Sequence, residues 1–103
     1  MSRRTLLTEE ELRGALHGLD GWEVRNGKLH RTFVFRDFVE AWGFMCRVAL
    51  VAEAMNHHPE WSNVYRTVTV DLSTHDAGGI TMLDVDLAHR MNALAGSEHA
   101  THA

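Results

Sequence analysis

The chain has one cysteine, one proline and no long apolar run, and each scarcity removes a class of protein. With only Cys46, which falls inside an apolar helical pattern, no internal disulfide can form, and a reducing compartment is the natural expectation. A membrane helix needs roughly 20 consecutive apolar residues, and no stretch reaches that length, so no membrane association is expected. The opening MSRRTLLTEEEL turns acidic before an apolar run develops, which argues against a secretory signal and for a cytoplasmic location. Concentrated positive charge is missing too. Lys and Arg number 10 against 14 Asp and Glu, the formal charge is −4, and the basic residues are scattered. Direct contact with nucleic acid, which needs a dense positive face, is therefore not expected. Repeats and low-complexity segments are also lacking.

What is plentiful is histidine, with eight in 103 residues. A chain of this length reads as one domain, 1–103, able to bury a core without disulfides or metals. His99 and His102 belong to GSEHATHA, residues 96–103, a small polar stretch expected to be a flexible tail.

Thr8 followed by Glu11 has the spacing of a capping box and predicts a first helix over 8–17, ended by Gly18 and Gly21. WEVR and KLHRTFVF, joined by Asn26-Gly27, predict a hairpin of strands 22–25 and 28–35. Asp37 with Glu40 three residues on starts a second helix, whose apolar residues continue for about five turns. One stripe on it holds Phe38, Trp42, Met45, Ala49, Ala52 and Met55; another holds Val39, Gly43, Cys46, Leu50 and Ala54. A helix apolar on two sides must bury against two things, and only one can be this chain's own sheet, so a second subunit is expected on the other. NVYRTVTVDLS alternates and is one long strand or a tight hairpin, with Val64, Val68, Val70 and Leu72 on one side. Thr81 and Asp84 cap a last helix to about Ala95, with Met82, Val85, Ala88, Met91 and Leu94 as its buried stripe. The expected fold is α+β: a four-stranded antiparallel sheet with three helices on one face, in the order α-β-β-α-β-β-α.

The chemistry gathers at EAMNHHPEW, residues 53–61. Glu53 and His57 are four apart, so a persisting helix sets the carboxylate one turn below the imidazole and pairs them, an arrangement suited to a proton donor. His58 precedes Pro59, which steers it into an extended conformation, so the two rings diverge. A histidine in the last turn of a helix is commonly just a cap for free carbonyls. The adjacent pair, upstream Glu53 and a further His75 in a glycine-flanked loop favour a functional site. Zinc bound by three histidines and Asp84 is the competing reading; neighbouring histidines rarely converge on one ion, and no metal is expected. Trp22, Trp61 and Tyr65 are able to stack on a flat ring or simply to pack.

The frame Glu53, His57-His58-Pro59, Trp61, Asn63-Val64-Tyr65, Ser73-Thr74-His75 and Asp84 followed by DLA resembles the pterin-4a-carbinolamine dehydratase family. Weaker likeness in Gly21-Trp22 and FRDFVEAWGFMCRVAL extends it over most of the chain, with one departure at Asn56, where well-known members carry Asp. The resemblance implies dehydration of a 4a-hydroxytetrahydropterin to a quinonoid dihydropterin, in pterin recycling, with no cofactor. Imidazole, whose ordinary pKa is near 6.5, suits both the proton donation and the proton removal. The resemblance further implies His57 and His75 as acids and His58 as substrate binder and base. Glu53 would orient His57, Asp84 would support His75 or the pterin, and Trp22 or Trp61 would wall the pocket, with Asn56 and Pro59 among the binding or orienting residues. It implies a homodimer or homotetramer through the second helix and the sheet edge. The alternative is a protein-binding dimerisation cofactor of a transcription factor, the second role of animal members, which needs no catalysis.

Overall fold

The structure, a computed structural model, describes residues 3–96 and the backbone of Thr101–His102; most of the tail expected to be flexible lies outside the described residues. Helix α1 spans Glu9–Leu16, strands β1 and β2 span Glu23–Arg25 and Lys28–Val34, and helix α2 spans Phe38–Met55. Strands β3 and β4 follow at Glu60–Val64 and Thr67–Leu72, then a 3₁₀ turn at His75–Ala77, helix α3 at Met82–Ala95 and the two-residue strand β5 at Thr101–His102. The antiparallel sheet runs β1-β2-β4-β3, and β5 pairs with β2 near Phe33 and Val34. Among the described residues no helix is long and apolar enough to cross a membrane.

Asn26 and Gly27 both take positive φ, 54° and 75°, the conformation a two-residue hairpin turn demands. The second hairpin settles the ambiguity over NVYRTVTVDLS. Tyr65 adopts φ 53°, and the Asn63 amide donates to the carbonyls of Tyr65 and Thr67, closing a turn between Val64 and Thr67. That turn puts Val64 on the face opposite Val68, Val70 and Leu72, and it is 75% exposed, contrary to the single alternating run.

The core lies between the sheet and α2 and α3. Leu29, Phe33, Val68, Val70 and Leu72 point from the sheet, and Phe44 of α2 sets its ring 4.8 Å and 4.9 Å from those of Phe33 and Phe35. The buried face of α2 is Ala41, Phe44, Val48 and Ala52, with Met45, Val51 and Met55 at its edge. The expected stripe beginning Phe38 and Trp42 is displaced: those two are 48% and 53% exposed. Apolar residues cover so much of this helix that periodicity alone selects no face; Phe44 wins because it fits the sheet's phenylalanines. The second stripe is open, with Val39 and Leu50 exposed. On α3, Val85, Ala88 and Met91 are buried as expected and Leu94 partly so, whereas Met82 faces outward and Leu83, Leu87 and Ala95 join the core.

Candidate active site

Helix α2 does not stop at the proline. It ends at Asn56, in the left-handed conformation with φ 51°, whose N–H donates to Glu53 O while that of His57 donates to Ala52 O at 3.0 Å. This is a Schellman closure, and asparagine is among the few non-glycine residues that adopt it readily. The reversal turns His57 away from the helix that carries it. Its ring is buried, 6% exposed, and Nε2 lies 2.6 Å from Asp84 Oδ1 in α3. His58, exposed, swings back so that its Nε2 lies 2.8 Å from Glu53 Oε1. The structure thus pairs Glu53 with His58 and not with His57, and Asp84 with His57 and not with His75. A carboxylate and an imidazole four residues apart face each other only while the helix continues through residue 57, and the left-handed Asn56 breaks it one residue earlier.

Asp84 is wholly buried, and its second oxygen accepts from Thr81 N and from Thr74 Oγ1, each at 2.9 Å. Thr74 thus uses its hydroxyl proton on Asp84, so Thr81, 2.7 Å away, must donate its own to Thr74. Two donors hold one oxygen of the carboxylate, and the other faces His57. In its neutral form that imidazole then carries its proton on Nε2 and leaves Nδ1 for exchange.

Thr74 also closes the next loop, its N–H donating to Gly79 O at 2.7 Å, which places His75 at the start of the 3₁₀ turn with its side chain 79% exposed. Gly79 is a close approach: a Cβ there would lie 2.9 Å from Leu6, and Leu7 N donates to Ile80 O at 3.0 Å. So fastened, the segment before α1 brings Arg4 to Asp76, Nη1 to Oδ2 at 3.1 Å.

Asn56, His57, His58 and His75 all line one open cavity of about 410 Å³, together with Ser73, Thr74, Asp76 and Arg4. Glu53 and Asp84 stand behind His58 and His57 without lining it. Pro59, half-buried, does not line it either. Trp61 packs partly buried against the core, opposite Val70. Trp22, expected as a possible wall, is buried edge-on to Phe33 and donates its indole N–H to Asn92 at 2.7 Å. Arg4 and Asp76 were missed; they are 72 residues apart, and no local spacing announces such a pair. Among the described residues no three His, Cys, Asp or Glu side chains group to hold a metal ion.

An α+β domain with a histidine-lined cavity at the end of its long helix is the class that fold and site define. The family model for pterin 4 alpha carbinolamine dehydratase matches residues 5–94. A relative from Rhodopseudomonas palustris (strain BisB18), named "Putative pterin-4-alpha-carbinolamine dehydratase", is 59% identical over 91 residues, 86% of this chain and 90% of that one. One of the same name from Solibacter usitatus (strain Ellin6076) is 58% identical over 91 residues, covering 88% and 96%. The crystal structure of a transcriptional coactivator/pterin dehydratase from Brucella melitensis superposes with a TM-score of 0.85 at 50% identity, over 87% of this chain and 98% of that one. The chain belongs to the pterin 4 alpha carbinolamine dehydratase family.

Proposed function

We propose that the protein dehydrates 4a-hydroxytetrahydropterins by histidine acid–base catalysis, in recycling of a pterin cofactor. The observation that supports this most is the lining of a single water-accessible cavity by His57, His58 and His75. In the reaction the C4a–O bond breaks and the hydroxyl departs as water after receiving a proton. The N5–H proton goes to a base, and its electron pair forms the C4a–N5 double bond. Nothing is oxidised or reduced, and one proton donor and one proton acceptor suffice, roles that imidazole can fill.

In this reading His57 is the acid, working through Nδ1 because Nε2 is engaged by Asp84. His58, steadied by Glu53, binds the ring and takes the N5 proton. His75, which also lines the cavity, serves a hydroxyl on the other face of the pterin. Asn56 shapes the connection that aims both neighbouring rings. The open stripe of α2, with Val39 and Leu50 exposed, packs against further copies of the chain in a homodimer or homotetramer. The same face would serve the coactivator reading, in which a different protein takes it and catalysis is not required.

The test is a coupled assay in which an aromatic hydroxylase generates the carbinolamine. Dehydration should accelerate with this protein and slow roughly 10²–10⁴-fold on His57→Ala, with circular dichroism unchanged. Equal turnover by both proteins would reject the assignment, and a sample devoid of activity that captures a partner through α2 would favour the coactivator.

A further inference from the structure

Two hollows meet at His75. One is the histidine cavity; the other, about 390 Å³, lies on its far side between the β1–β2 turn, including Lys28, and Gly78-Gly79. At this junction Glu60 Oε1 receives Lys28 Nζ at 2.8 Å and stands 3.9 Å from His75 Nε2. Glu60 and Lys28 both begin strands, β3 and β2, so their backbones are fixed by the sheet, whereas His75 sits on a three-residue turn with its ring largely in solvent.

We propose that Glu60, anchored by Lys28, is a positioning residue for His75, setting the direction in which that imidazole enters the cavity. This rests on the reading of His75 as an acid of the dehydration. A histidine with 79% of its side chain exposed samples several rotamers, and a carboxylate on one side gives one of them preference. The other charged or titratable groups around His75 do not supply this. Asp76, its neighbour on the turn, pairs with Arg4 at 3.1 Å, and His57 and His58 face the cavity with Asp84 and Glu53 as their own partners. Lys28 keeps Glu60 in place and ionised: the hydrogen bond from its ammonium holds the Glu60 carboxyl below the usual carboxylate range. Glu60 does not line the histidine cavity and has no part in the proton transfers, so its effect passes entirely through His75.

The experiment measures kcat and KM for the unaltered protein, Glu60→Gln, His75→Ala and the double variant, and follows the His75 ring resonance by NMR at fixed pH. Glu60→Gln should lower kcat roughly two- to fivefold, the scale of a partly exposed ion pair, with KM unchanged. It should have no further effect once His75 is alanine. The His75 resonance should move in Glu60→Gln. An equal loss in both backgrounds would show a merely structural role and overturn the proposal, as would an unmoved resonance. Full activity in Glu60→Gln beside an impaired His75→Ala would overturn the positioning role alone. Full activity in His75→Ala would overturn the reading of His75 and the proposal with it.

Discussion

Asp84 Oδ1 and His57 Nε2 lie 2.6 Å apart, two buried groups joined across 27 residues of sequence, one from α3 and one from just past the end of α2. This contact fixes which nitrogen of His57 is left for chemistry, and an isosteric change should separate that from stability. In Asp84→Asn the amide oxygen can still accept from Thr74 and Thr81, while the NH₂ donates to His57 Nε2 and forces the neutral ring's proton onto Nδ1. Losing the carboxylate leaves the imidazolium that donates through Nδ1 without its counter-charge, and the neutral Nδ1–H ring that remains is a poor proton donor. Turnover should fall roughly 10- to 100-fold, the usual worth of a carboxylate that orients a working histidine, with a small change in Tm. Asp84→Ala should instead lower Tm substantially, because the Thr74 hydroxyl and Thr81 N–H lose a buried acceptor.

Glu53 predicts the opposite pattern. Its carboxylate is 82% exposed and its partner His58 58% exposed, so the pair contributes about 0–1 kcal/mol. Glu53→Gln should cost less than about fivefold in kcat/KM and weaken with added salt in the unaltered protein. A loss as large as that of His57→Ala would return Glu53 to the role of His57's partner, against the geometry.

Asn56 carries the whole arrangement, since its left-handed turn sends His57 toward α3 and His58 back toward Glu53. Glycine should be accepted there with little change in urea midpoint. A β-branched residue such as valine should destabilise by about 1–2 kcal/mol, the penalty of a left-handed conformation, and should lower activity further by misaiming both rings. Asp is tolerated in this conformation as Asn is, so Asn56→Asp should keep both stability and turnover.

The capping boxes at Thr8 and Thr81, the Asn26-Gly27 turn and the order of elements were legible because each depends on a few neighbouring residues. The adjacent histidines His57 and His58 stood out for the same reason, and the fold sets His75 in the same cavity. The partners of His57 and His58 were not legible: one left-handed residue decides between Glu53 and Asp84, and the sequence NHHP permits the helix to end at Asn56 or a residue later. Arg4 near Asp76 and Lys28 near Glu60 depend on tertiary packing that no spacing encodes. The face of α2 was misplaced because Phe38, Trp42 and Phe44 compete on a helix that is apolar nearly all round, and only the rings of Phe33 and Phe35 choose among them.

That choice leaves Leu50 75% exposed and Val39 77% exposed on the outer side of α2, a face too apolar to stand comfortably in water. If copies of the chain cover it, Leu50→Glu introduces a charge that must be desolvated at the contact, and the assembly should split into smaller species by analytical ultracentrifugation. The subunit should keep its circular dichroism, because Leu50 contributes nothing to the intramolecular core. Activity should persist, since Leu50 does not line the histidine cavity. An unchanged sedimentation profile would mean that this face is not where copies meet. Loss of activity together with dissociation would mean that a neighbouring copy completes or stiffens the cavity.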